Sequence, residues 1–179
     1  MGLNIIRTDS VRDKRLASSG ITPPKDWTDV EQVRTAKLQE ISAACNAAIT
    51  AGCDVSLTGG STGHISLTAE DQINLSTATQ AVGQGAEGYP YHLDGQLCTL
   101  YPAADIVAMA QAATAHKLYH TTYYNHLAAW VRRCETAEEA VAVTYGAELP
   151  EDLDQSMLGI LAEAEAEKTV TAGGDRDAV

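Results

Sequence analysis

The chain has 179 residues, 45% of them hydrophobic but only 5% aromatic, and a formal net charge of −12 at pH 7. That excess of carboxylate excludes non-specific attraction to nucleic acid or to an anionic membrane surface, each of which needs clustered Lys and Arg. No apolar run approaches the roughly 20 residues that cross a bilayer. MGLNIIRTDS lacks a secretory pattern, and Cys45, Cys53, Cys98 and Cys134 contain no CxxC pair to grip zinc or exchange thiols, so a protein made in a cytoplasm with small buried thiols is expected.

Residues 1–26 read as a flexible N-terminal arm. Leu3, Ile5 and Ile6 form a small apolar cluster, RTDSVRDKR is a mixed basic patch, and Gly20, Pro23 and Pro24 interrupt regular structure. Such an arm orders on a partner or remains a plain terminus. A core domain is expected over 27–134. Thr28 with Glu31 makes a capping box, and Val30, Val33, Leu38, Ile41, Cys45 and Ala48 recur at helical spacing until Gly52. Val55 and Leu57, then Ile65 and Leu67, alternate with polar residues about a Gly-rich turn, which predicts a β-hairpin. Thr68 with Asp71 caps a second helix that ends between Gly83 and Gly88.

Tyr89 to Leu93 and Gln96 to Tyr101 then flank Asp94-Gly95, a pair favoured in type I′ turns. The second hairpin predicted there sets Leu93 opposite Gln96, His92 opposite Leu97 and Tyr91 opposite Cys98. Pro102 opens a long helix to about Cys134, with Ile106, Met109, Ala113, Leu127 and Trp130 on one side. Residues 135–168 read as an acidic helical extension. Thr136 with Glu139 caps a short helix through Val143, and Pro150 begins another whose Leu153, Met157, Ile160 and Leu161 form an apolar stripe. That stripe suits a helix laid on the core or an oligomer seam. Residues 169–179 have the composition of a disordered tail. The fold class is α+β: two hairpins packed with amphipathic helices, one of them long and following the second hairpin.

Several motifs occur in order: Ala44 to Val55, Ile65 to Leu67, Glu70 to Gln72, Pro90 to Cys98 (PYHLDGQLC) and Tyr119 to Asn125 (YHTTYYN). Together they resemble a domain of unknown function widespread in phage and prophage proteins, often near tail and baseplate genes. The resemblance covers roughly Leu38 to Trp130. Ile65 stands where that family usually has Phe, a core swap, and the acidic extension after Cys134 is additional. The resemblance implies a virion- or tail-associated protein made in a bacterial host, and it brings no catalytic residues.

The stretch from Tyr89 to Trp130 gathers four of five His, six of seven Tyr and one of two Trp. His116 and His120 lie one helical turn apart on one face, a spacing able to hold Zn or Ni if a third ligand joined them. Without one, hydrogen bonds to buried backbone or to the second hairpin are the better reading. A Cys98 nucleophile with His92 as base is opposed by the predicted register and by the want of an orienting carboxylate. TGGSTGH lacks the lysine of a phosphate loop and lies between strands, and Glu70-Asp71 belong to a helix start. Tyr119, His120, Tyr123, Tyr124, His126 and Trp130 span more than half the circumference of their helix, so some must be exposed or meet another chain. With Tyr91, His92 and His116 they form the candidate binding or interface set.

No catalytic, cofactor or metal residues are assigned. The leading expectation is a non-enzymatic structural protein of a phage tail, baseplate or fibre region, joined to other tail proteins or to copies of itself through the arm or the acidic helix. The alternative is a soluble phage-encoded protein sequestering a small metabolite or signalling nucleotide in a Tyr/His-lined pocket.

Overall fold

The computed structural model describes residues 3–173. In chain order its elements are α1 (Leu3–Ser18), α2 (Val30–Ala51), β1 (Cys53–Ser56), β2 (Thr62–Ile65), α3 (Ala69–Gly83), β3 (Gly88–Tyr91), β4 (Thr99–Pro102), α4 (Ala103–Arg133), α5 (Ala137–Ala142) and α6 (Glu151–Gly173). This is the expected α+β class, with α4 following the second hairpin. The chain folds as two compact units, one of residues up to Cys45 with those from Thr121 on, the other Asn46–His120.

The first unit is helical. α1 occupies much of the stretch whose sequence suggests only an arm, and its end explains why it is a helix. Gly20 has φ +72°, Gly20 N–H donates to Ala17 O at 3.0 Å, and Ile21 N–H donates to Leu16 O at 2.9 Å. These are the two bonds of a Schellman terminus, completed by contact between the flanking apolar side chains. Leu16 and Ile21 are buried together with Ala36 of α2. Arg15 Nη2 and Glu40 Oε1 lie 2.5 Å apart, and Glu40 Oε2 accepts from Lys37 Nζ at 2.8 Å.

α2 is capped by Asp29, not by Thr28. The first helical bond runs from Val33 N–H to Asp29 O at 3.0 Å, and Asp29 Oδ1 accepts from Glu31 N–H at 3.0 Å and Gln32 N–H at 3.2 Å. Thr28 instead donates its N–H and hydroxyl to Asp26 Oδ1, so the cap passes to the residue whose carboxylate is left facing the helix. Val33, Ile41, Leu127, Val131, Ala140, Val143 and Met157 belong to one buried cluster. Thr136 and Glu139 form the predicted capping box of α5. On α6, Leu153 and Met157 are buried and Leu161 is half-buried against the core cluster, whereas Ile160 is 44% exposed, so three of the four stripe residues are laid on the core. α6 continues to Gly173, past Thr169 where the composition suggests disorder; the rest of the proposed tail lies outside the described residues.

The second unit holds both hairpins. β1 and β2 pair antiparallel, Cys53 with Ile65 through Ser56 with Thr62. Gly52, at φ +85°, ends α2 where a Cβ would lie 1.9 Å from Ile65 O, so the turn into β1 requires glycine. The hairpin tip is anchored by Thr58 N–H donating to Asp105 Oδ1 at 2.7 Å, beside the start of α4. Thr68 and Asp71 form the predicted capping box of α3. Val55, Ile65, Leu67, Leu75, Leu93, Ile106 and Met109 share the buried cluster of this unit.

The β3–β4 pairing differs from the expected register. Tyr91 faces Thr99, Pro90 faces Leu100 and Tyr89 faces Tyr101, so Tyr91 is not opposite Cys98 and the connection is residues 92–98. Gln96 N–H donates to Leu93 O at 3.0 Å, so a turn does form at Asp94-Gly95. Only Gly95 has positive φ there, +71°, whereas a type I′ turn needs both central residues positive. Leu93 is 2% exposed and fills the space over Gly63. Burying it and bonding Asp94 elsewhere outweigh the two ladder pairs that a tight turn would add.

Candidate functional site

Tyr91, His92, His116, Tyr119 and His120 lie in the second unit, and Tyr123, Tyr124, His126 and Trp130 in the first. In the second unit Tyr91 is buried, and its hydroxyl reaches Asp71 O at 3.5 Å. Burial, then the nearby Asp71 and Asp94 charges, push its phenol above the ordinary range. His92 stacks on it with centroids 5.5 Å apart and is exposed. His116 Nε2 lies 2.9 Å from Ala48 O, the backbone partner expected of a core-facing histidine. Its ring meets His120 edge-on with centroids 4.4 Å apart. Desolvation first, and His116 second, lower the His120 pKa. Tyr119 is 48% exposed and makes an edge contact with His120. Among the described residues no three His, Cys, Asp or Glu stand as a metal-holding group.

In the first unit the aromatic run is largely occupied. The buried Tyr123 donates its hydroxyl to Ala147 O at 2.6 Å and accepts from Gly146 N–H at 3.0 Å. Tyr124 and Trp130 are half-buried against the core cluster. His126 has Nδ1 2.7 Å from Thr122 O and Nε2 3.2 Å from Ser156 Oγ on α6. The wide spread of aromatics around α4 is thus largely covered from within the same chain, with Tyr119 the clear exception.

The thiols divide by environment. Burial pushes Cys45, Cys53 and Cys134 above the usual thiol range, which disfavours the nucleophilic thiolate. Cys98 is exposed. It shares a hollow of about 210 Å³ with His92, Asn74, Thr77, Tyr89, Pro90 and Tyr91, so the loop brings the two residues to one surface although the ladder does not pair them.

Residues 32–146 match the family model described as Domain of unknown function (DUF4376). The chain belongs to that family. No curated protein and no solved structure matches it.

Much of the motif pattern in this DUF4376 domain is accounted for by structure. Gly52 permits the α2–β1 turn. Asp54 Oδ1 lies 2.8 Å from His64 Nδ1, and Ala51 O lies 2.8 Å from His64 Nε2. Both ring nitrogens face acceptors, and the carbonyl first and Asp54 second raise the His64 pKa. Asp71 caps α3, and Gln72 Nε2 donates to Leu67 O at 2.9 Å. Asp94 binds Ser66. The most exposed large apolar side chains among the described residues are Leu97, 86% exposed, and Leu100, 73% exposed. Sequence reasoning assigns both to an ordinary strand and misses them. Their mark is that two leucines three apart cannot share one face of a flat strand.

Proposed function

We propose that this DUF4376 domain is a non-enzymatic attachment protein of a phage tail region, and that it meets its partner through the outer surface of the β3–β4 hairpin and its 92–98 loop. The single observation that carries the reading is the exposure of Leu97 and Leu100, 86% and 73%, on a hairpin that buries Tyr91, Leu93 and Tyr101. Two large apolar side chains left in water three residues apart in the chain favour a protein contact. The phage and tail setting rests on the ordered motifs, PYHLDGQLC and YHTTYYN foremost. Support for a non-catalytic role comes from the polar candidates: His116, Tyr123 and His126 are engaged with backbone groups, an arrangement that builds a fold and leaves little for a substrate.

The alternative, a small metabolite held among Tyr and His, has the 210 Å³ hollow beside Tyr89, Tyr91 and His92. The deciding experiment is mass spectrometry of purified particles from a lysogen carrying the gene, with wild-type protein and with Leu97→Lys and Leu100→Lys variants that retain the native circular dichroism. Wild-type protein in particles, and its loss in either variant, is the expected result. Reproducible absence of the wild-type chain from particles defeats the virion assignment, and undiminished incorporation of both variants defeats the hairpin as the contact.

A further inference from the structure

We propose that the cleft between α3 and the first half of α4 is a binding site for a small monocarboxylate with an aliphatic body, whose carboxylate pairs with Lys117. The cleft encloses about 410 Å³, within the range of small-molecule sites. Its floor is apolar: Leu67, Leu75 and Ala113 line it and are buried. Its lining includes no aromatic ring, so it suits an alkyl chain better than a stacking base.

The polar rim narrows the ligand further. Gln72 donates its amide to Leu67 O at 2.9 Å, and the Thr79 and Thr114 hydroxyls donate back to Leu75 O at 2.7 Å and Ala110 O at 2.8 Å. The two threonines are spent on their own helices, and Gln72 on the carbonyl just before α3. Ser76, Gln80 and Lys117 are the rim donors left to face a ligand.

Lys117 stands out by charge. Between Asn46 and His120 it is the sole Lys or Arg, against six carboxylates, Asp54, Glu70, Asp71, Glu87, Asp94 and Asp105. It makes no ion pair within 4.0 Å with the described residues. An ammonium with no carboxylate partner, at the mouth of an apolar cleft in an otherwise acidic unit, favours one negative charge. Each further charge on the ligand finds no second cation, because Lys117 is the one charged side chain in the lining, and enters a unit whose other charged Asp, Glu, Lys and Arg side chains are all carboxylates. Polyphosphates such as nucleotides are therefore disfavoured. A neutral analogue keeps the apolar contact but loses the charge-assisted bond, which commonly strengthens a hydrogen bond about twofold over its neutral counterpart.

The test is an amide ¹H–¹⁵N titration of the full chain with sodium octanoate below its self-association range, beside 1-octanol and ADP. Octanoate is expected to shift the amides of Ser76, Gln80, Ala113 and Lys117, and Lys117→Met to weaken it about tenfold or more. Octanol should bind wild type and Lys117→Met alike. Ser76→Trp, which fills the cleft from an exposed rim position, should abolish the octanoate shifts while circular dichroism stays native. Should Ser76→Trp misfold, Lys117→Met alone decides, because the side chain is exposed. No shifts along the cleft, equal octanoate affinity in Lys117→Met, or ADP shifting the same amides more strongly overturns the proposal.

Discussion

Asp94 and Ser66 hold the 92–98 loop to the end of β2. Asp94 Oδ2 accepts from Ser66 Oγ at 2.5 Å and Oδ1 from Ser66 N–H at 3.1 Å, while Asp94 N–H donates to His64 O at 2.9 Å. The Asp of the PYHLDG motif is thus a latch rather than a simple turn residue, and the loop it fixes presents Leu97.

Asp94→Ala should cost about 1–2 kcal/mol at pH 7, toward the low end for hydrogen bonds to a charged group because Asp94 is exposed and screened by solvent, seen as a lower urea midpoint and faster exchange of the Ser66 amide. The Ser66 hydroxyl bond is the largest influence holding the Asp94 carboxyl below its ordinary range. A depressed folded pKa adds stability above the unfolded value, and that stability is lost as pH falls through the folded value. The gap between wild type and variant should therefore close in acid. A Ser66 amide equally protected in both proteins at pH 7 would contradict the latch.

The sequence shows what is local and hides what is distant. The capping boxes of α3 and α5 are legible because donor and acceptor lie three residues apart in the chain, and the β1–β2 hairpin because alternation alone defines it. The second hairpin's register is not legible, because Leu93 and Asp94 are satisfied by Gly63 and Ser66, far back in the chain. α1 is hidden for a different reason. Gly20 reads as a breaker, yet Leu16, Gly20 and Ile21 together spell a helix end. At the candidate site, the shared face of His116 and His120 is readable from their spacing, but the Ala48 carbonyl that receives His116 has no side-chain signature. Lys117 is conspicuous by charge in the sequence alone, while its cleft emerges only from the packing of α3 on α4.

Gly52→Ala should be among the more damaging single-methyl changes in the chain. The residue has φ +85° and its Cβ would lie 1.9 Å from Ile65 O, so backbone strain and a backbone clash act together. A loss of about 2 kcal/mol or more is expected. Gly59→Ala, where a Cβ meets nothing within 4 Å, should stay within about 0.5 kcal/mol. Equal thermal midpoints for the two variants would show that the β1 strand accommodates the methyl group.

Glu40 links an exposed cation to a buried one. Its Oε1 meets Arg15 on α1 and its Oε2 meets Lys37, which is 4% exposed. Glu40→Ala strands the buried ammonium, and removing one partner of such a pair commonly costs about 3 kcal/mol. Lys37→Met in the same background, replacing the charge with an apolar chain of similar length, should recover most of that loss. The double-mutant cycle, read by urea unfolding, is the measurement. Additive losses would mean that Lys37 reaches water without Glu40.

His64 supplies the pH dependence near neutrality. Its ring nitrogens lie 2.8 Å from Asp54 Oδ1 and 2.8 Å from Ala51 O. Two acceptors favour the imidazolium, and the pKa is raised above its ordinary value, by the carbonyl first and the carboxylate next. A folded pKa above the unfolded one contributes stability that is complete below about pH 6.5, the unfolded value, and that disappears as pH rises through the folded value. The β1–β2 hairpin should accordingly exchange its amides more slowly at pH 6 than at pH 8.5 after correction for intrinsic exchange, and His64→Gln should remove that difference. The ring is 41% exposed, so solvent screening keeps the effect small and confined to the hairpin. Asp54→Asn should weaken the pH dependence without erasing it, because the Ala51 carbonyl remains. A hairpin whose protection is independent of pH in the wild-type chain would mean that His64 titrates as a free imidazole.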